Sequence, residues 1–241
     1  MTVTPNPALK RTAIPRNGRI DSWMHLAGLA AMCTTGRWIF RGEKLTDEPL
    51  RPKSGRVGRQ KGAARKKPYR AGDERRALED YKRQARPHIG HTPSSDLEWL
   101  AIAQHHGMST RLLDWTESLL VAAYFATKEA GTATGIIYAV QGLGVLSKND
   151  AKNPFRITRP GIYEPPHITP RIPAQSSVFT VHPNPTIEFK PRGLHKWIVP
   201  PAACGEIKRV LDACAVNESS LFPDLDGLSR YVGWRYKWGR V

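Results

Sequence analysis

The chain has 241 residues, 40% of them hydrophobic, seven Trp and a formal net charge of +16. That content suffices to bury the core of one large domain or two small ones, and it excludes a disordered chain. No apolar run approaches the ~20 residues of a membrane span, and the N-terminus lacks the apolar stretch of a signal peptide, so a soluble, cytoplasmic protein is expected.

Residues 1–19 read as a disordered arm with four basic residues and no acid. Ser22 is placed to cap a helix running to about Met32, with Trp23, Leu26, Ala27 and Ala30 at helical spacing. After Gly36, Trp38-Ile39-Phe40 reads as a short buried strand running into Arg41-Gly42-Glu43. Residues 44–72 show no periodicity and read as a long basic loop inserted in a domain spanning 20–241. Residues 51–86 carry 14 Lys and Arg against four acids, whereas 87–241 hold 16 against 13, so the basicity is local. A strip of this kind attracts polyanions, and its expected nucleic-acid contacts are Arg51, Lys53, Arg56, Arg59, Lys61, Arg65, Lys66, Lys67 and Arg70. A solvated charge run is the other reading of the same residues.

Asp73 opens a helix whose acids come early and bases late, matching the dipole. Ser95 and Glu98 form a capping box before LEWLAIAQHH, and Gly107 is a natural left-handed stop. Residues 117–130 are apolar nearly all round and predict a buried helix. Strands are expected at 135–140, 177–182 and 195–199, with 141–174 irregular and Pro-rich. Pro200-Pro201 opens another helix, and Leu225, Leu228 and Val232 mark a short last one. The fold class that follows is α+β, with one or more small, mixed, mostly antiparallel sheets flanked by helices.

Two clusters break the local rules. Arg41 ends an apolar strand, where a guanidinium can grip a planar anion or brace a carboxylate such as Asp114; Gly42 permits a ligand or another backbone to come close. Between two apolar helices, residues 104–116 gather Gln104, His105, His106, Thr110, Arg111, Asp114, Trp115 and Thr116. The expected pocket joins Arg41, one of the two histidines, Arg111 and Asp114, with the helix dipole favouring protonated His. A buried polar network that fixes two helices is the competing account. Thr116 is placed to cap the next helix. Three cysteines without a C-x-x-C, and adjacent histidines without a carboxylate at ligand spacing, argue against a disulfide framework and against a metal site. No P-loop, dinucleotide fingerprint, nucleophile elbow or H-E-x-x-H is present.

Phe40-Arg41-Gly42, the segment Ala103–Thr127, the run Arg171–His182 and the run Leu221–Leu228 resemble, in order and spacing, the FRG domain, a bacterial and phage family named for its Phe-Arg-Gly tripeptide. A more distant similarity is to ADP-ribosyltransferases, and the expected role is a phage-defence or toxin effector acting on nucleic acid. What this second resemblance implies is an NAD-using transferase in which Arg41 anchors the dinucleotide and Tyr124 or Trp115 stacks on nicotinamide. On the same reading Arg41, His106 and Asp114 are the catalytic candidates; Gly42, Glu43, Gln104, His105, Thr110, Arg111 and Gln175 contact the ligand. Where those enzymes use a glutamate, Gln175 stands here, and Asp114, Glu117, Asp224 or Glu43 must substitute. The reading from another class is a non-catalytic nucleic-acid-binding module that uses residues 51–86.

Overall fold

In the computed structural model, which describes residues 16–56, 68–129 and 133–237, Trp38, Ile39 and Phe40 are all buried. Successive strand residues point to opposite faces, so the strand they open is covered on both sides. This strand, β2 (Trp38–Lys44), pairs antiparallel along all seven residues with β4 (Gly135–Gln141). Next to β4 lies β7 (His195–Val199), antiparallel, and β1 (Asn17–Arg19) closes that edge as the parallel strand. On its other side β2 meets β3 (Leu112–Thr116) through a single pair, Phe40 with Thr116. From there β3 pairs with β6 (Ser177–Val181) over five residues, and β6 with β5 (Gly161–Tyr163). The result is one mixed seven-stranded sheet in the order β1-β7-β4-β2-β3-β6-β5, well laced within each half and joined at one point in the middle.

Helices cover the sheet where the sequence caps them. Ser22 accepts from the His25 amide at the start of α1 (Trp23–Met32), and Ser118 accepts from Val121 at the start of α4 (Leu119–Thr127). With α7 (Pro201–Ala213), these bury Leu26, Phe40, Ala122, Ile137 and Trp197 on one face. On the opposite face Ile39, Leu113, Trp115 and Val140 pack with Leu50 and Phe189. A third cluster joins Leu78 of α2 (Ala71–Ala85) and Leu97 and Leu100 of α3 (Asp96–His105) to Leu112, Phe179 and Val181. The remaining helices are short, α5 (Lys148–Lys152), α6 (Arg171–Ala174) and α8 (Glu218–Leu221), apart from α9 (Leu225–Lys237).

The α+β class holds, with one mixed, mostly antiparallel sheet. Three strands lie where none was expected: β1 within the basic arm, β5 within the irregular stretch and β3 within the polar cluster. The long loop is also more structured than its composition suggests. Leu50 is buried and its carbonyl accepts from the Phe189 amide, and Gly55 is pressed against the backbone of Pro185. Residues 1–15 of the arm, and Arg59, Lys61, Arg65, Lys66 and Lys67 of the strip, lie outside the described residues.

One glycine sets how closely α4 approaches the sheet. A Cβ on Gly42 would lie 1.7 Å from the carbonyl oxygen of Ala122 and 2.9 Å from the amide of Ala126, both α4 backbone. Gly42 therefore yields to a helix, although it also borders the cavity described below. Gly42→Ala should lower stability by at least the roughly 1–3 kcal/mol typical of overpacking, whereas Gly72→Ala, whose Cβ meets nothing within 4 Å, should leave it unchanged or higher. Chemical denaturation of both variants checks this; equal midpoints would remove Gly42 from the packing argument.

Candidate functional site

The sheet opens where its ladder is thinnest. Beyond Phe40 and Thr116 the strands β2 and β3 part, and beside the gap lies a cavity of about 350 Å³, within the range of small-molecule sites. From β2 come Phe40, Arg41 and Gly42; from β3, Asp114 and Thr116; from α3, Ala101, Gln104 and His105. Phe125 of α4, Arg171 and Ile172 of α6, Gln175, Phe179 of β6 and Phe222 complete the wall, with Lys53 reaching in from the loop after β2.

Arg41 spans the gap. Its Nη1 donates to the main-chain oxygen of Asp114 at 2.8 Å and lies 3.6 Å from that residue's Oδ2, while Nη2 donates to Glu43 Oε2 at 2.7 Å. Burial works against the charge, but Glu43 and Asp114 outweigh it and hold the guanidinium pKa above its ordinary value. The Nε of Arg41 is buried and has no hydrogen-bond partner among the described residues. Asp114 keeps 60% of its side chain exposed, and it is the one carboxylate lining the cavity among the described residues. The other acids are engaged elsewhere: Glu43 with Arg41, Glu117 with Arg37, and Asp224 with Arg171 at 2.5 Å.

His105 faces the cavity and His106 is exposed outside its lining. Contrary to the dipole expectation, the His105 pKa is pushed down to about 4, chiefly by burial and then by Arg171 and His106, against the smaller pull of Asp114 and Asp224. The imidazole is therefore neutral at physiological pH.

Several predicted site residues point away. Arg111 does not meet Arg41: it is 1% exposed and forks onto Glu74 Oε2 at 3.1 and 3.2 Å. Its remaining donors go to Tyr69 and to the Pro154 carbonyl, and its guanidinium stacks on Phe155 at 4.2 Å. This is the buried structural network, built around a different arginine. Trp115 borders the cavity, but its ring packs on Phe189 and its Nε1 donates to Thr180 Oγ1 at 2.9 Å, so it cannot stack on a ligand. Tyr124 lies in a second, smaller cavity with its hydroxyl on Glu218. Thr110 is fully buried behind Gln104, and Thr116 supports the turn before α4 by accepting from the Ser118 amide, while Ser118 is the cap. Gln175 lines the cavity, its amide donating to the Leu221 carbonyl.

In the basic strip, Arg51 and Arg56 turn inward. Arg51 donates to the Thr186 carbonyl and Arg56 to the Arg51 carbonyl, both at 3.1 Å, and Arg56 lies 3.8 Å from Glu43. Lys53 and Arg70 are exposed. The lining residues Phe125, Phe179, Phe222 and Arg171 had no role from spacing or chemistry. The sequence signal for them is that they fall inside segments resembling the family. Among the described residues no group of three His, Cys, Asp or Glu side chains could hold a metal ion, and no helix is long and apolar enough to cross a membrane.

Comparison with known proteins agrees with the tripeptide. Residues 36–134 match the family model of the FRG domain. That stretch of the chain resembles an FRG domain. The match runs from the turn before β2 through α4, and so takes in Arg41, Gln104, His105, Asp114 and the gap between β2 and β3. No curated protein and no solved structure matches the chain.

Two predictions follow from this charge arrangement. Arg111→Ala strands the buried Glu74 carboxylate and should cost about 3–5 kcal/mol, measured by urea denaturation; a loss below 1 kcal/mol would show that the pair is not structural. His105 and His182 both have pKa values pushed down to about 4, His182 by burial and then Arg111. Above about pH 6.5 both are neutral in either state. As pH falls from there the unfolded chain takes up protons first, so stability should decline down to pH 4 and then receive no further loss from these two groups. His182→Gln should flatten the decline in a pH series of melting curves.

Proposed function

We propose that the cavity of this FRG-like domain binds a dinucleotide of the NAD class, and that the protein is an ADP-ribosyltransferase-like enzyme with Asp114 as its acting carboxylate. The observation that supports this best is the lining itself: aromatic rings, cations and one exposed carboxylate meet at a break in the sheet. Phe125 offers ring surface to a base or to nicotinamide, while the Phe222 ring beside it already carries Arg171 and Lys128. Arg41 and Arg171 already hold Glu43 and Asp224, while Lys53 makes no ion pair among the described residues and is the cation with most to gain from a phosphate. The orphaned Nε of Arg41 is a further donor for a ligand oxygen.

NAD⁺ as substrate supplies a good leaving group: its ribose–nicotinamide bond breaks with the electron pair departing on the pyridinium nitrogen, which leaves as neutral nicotinamide. Asp114 stabilises the positive charge that develops on the ribose and receives the proton of the attacking hydroxyl. Gln175 has no charge to give to this step, and Glu43, Glu117 and Asp224 are each held by an arginine. Neutral His105 is available as a hydrogen-bonding partner at working pH.

A second reading makes nucleic acid the acceptor, or in a non-catalytic module the ligand. It is favoured by Lys53 and Arg70, exposed and without ion pairs among the described residues, which flank the segment carrying Arg59, Lys61, Arg65, Lys66 and Lys67. Each phosphate these neutralise adds about 0.9 to the logarithmic salt slope of binding. A bare module would bind DNA or RNA steeply with salt and show no response to NAD⁺.

Calorimetry with NAD⁺ and chromatography of released nicotinamide test the leading reading. Asp114→Asn should retain binding and lose about 100-fold or more in turnover. Lys53→Gln should weaken binding by roughly tenfold, the scale of one charge-assisted hydrogen bond. No heat of binding and no nicotinamide from the wild-type protein would sink it.

A further inference from the structure

Behind Asp114 the polar groups form a chain whose direction is fixed. The Leu112 amide donates to Thr110 Oγ1 at 3.1 Å, which occupies one lone pair of that hydroxyl. An ionised carboxylate only accepts, so Asp114 Oδ1 must face the Gln104 nitrogen, and Nε2 donates to it at 2.7 Å. That orientation leaves Gln104 Oε1 on the other side, where it accepts the Thr110 hydroxyl proton. The O/N ambiguity of a glutamine amide is thereby removed by its neighbours rather than left to assignment. Thr110 is fully buried, so it cannot touch a ligand, while Gln104 and Asp114 both line the cavity. Asp114 Oδ2 faces Arg41 Nη1 at 3.6 Å, so one carboxylate oxygen accepts a hydrogen bond and the other lies opposite a cation.

We infer that Thr110 and Gln104 are positioning residues that hold the Asp114 carboxylate at one orientation toward the cavity; this rests on the reading of Asp114 as the acting carboxylate. Thr110 works only through Gln104, and Gln104 through Asp114. The arrangement also ties the anion-facing side of the cavity to the same point, because the Ser54 amide, next to Lys53, donates to the Thr110 carbonyl at 3.3 Å.

Two readouts on the full chain test this. The first needs no activity. The side-chain amide pair of Gln104 in a ¹⁵N-labelled sample, identified by its loss in Gln104→Met, should shift and lose protection from exchange in Thr110→Val and keep both in Thr110→Ser. The second is nicotinamide release from NAD⁺. Thr110→Val should lower kcat by roughly 10- to 100-fold with KM nearly unchanged, since a misplacement of about 1 Å costs up to about 100-fold. Thr110→Ser should restore most of the rate. Gln104→Met, which keeps the volume and removes both hydrogen bonds, should match the valine variant and stands in for it if that variant does not fold. An unaltered Gln104 signal in Thr110→Val, or a higher KM with unchanged kcat, overturns the inference. If the Gln104 signal responds as expected while the wild-type protein releases no nicotinamide, the positioning of Asp114 stands and the NAD⁺ reading falls.

Discussion

A single guanidinium stands where a ladder bond is missing. Once β2 and β3 part after Phe40 and Thr116, the Asp114 carbonyl accepts from Arg41, and a main-chain oxygen left unpaired in this position would be costly. The same guanidinium is held by Glu43, two residues along the strand and so on the same side of it. Each member of the tripeptide thus has its own task. Phe40 makes the last pair across the sheet, Arg41 carries the connection over the gap, and Gly42 lets α4 close over the strand. The cavity exists because the halves of the sheet are tied there without being zipped.

Local caps and apolar runs are legible in the sequence. Ser22 and Ser95 cap helices where their spacing indicated, and Trp38–Phe40 is the buried strand that its apolar run suggested. The segment Leu112–Thr116 was not readable as a strand, since five residues inside a polar cluster are too few for alternation to register. Missing that strand is what misplaced Arg111. In an extended segment residues three apart face opposite sides, so Arg111 cannot share a pocket with Asp114, however close they lie in sequence. The choice between His105 and His106 was equally closed to sequence. Adjacent helical positions differ by about 100°, and only the packed neighbours say which one faces inward. The helix dipole gave the wrong charge for His105 because burial and the nearby Arg171 exceed it.

Arg41 and Arg111 show how little residue type decides. Both are largely buried, both are matched by a glutamate, and both lie within the matched family segment. Arg111 has its donors spread over Glu74, Tyr69 and Pro154 at the junction of α2 and β3, and 1% of its side chain is exposed. Arg41 keeps 14%, lines the cavity, and has a buried Nε without a hydrogen-bond partner among the described residues. Of the two, only Arg41 borders the cavity.

The charge of the whole chain and the charge of the cavity are separate matters. Arg41 and Arg171 each carry an acid of their own, Asp114 offsets a further cation, and His105 is neutral, which leaves the wall near balance with Lys53 as its free cation among the described residues. Attraction to a ligand there must come from short, oriented contacts, which salt screens weakly because they act well inside the ~8 Å Debye length. The excess of +16 belongs chiefly to the arm and the strip, where it acts over longer range and is screened readily. Recognition by the cavity and attraction by the strip should therefore respond differently to ionic strength.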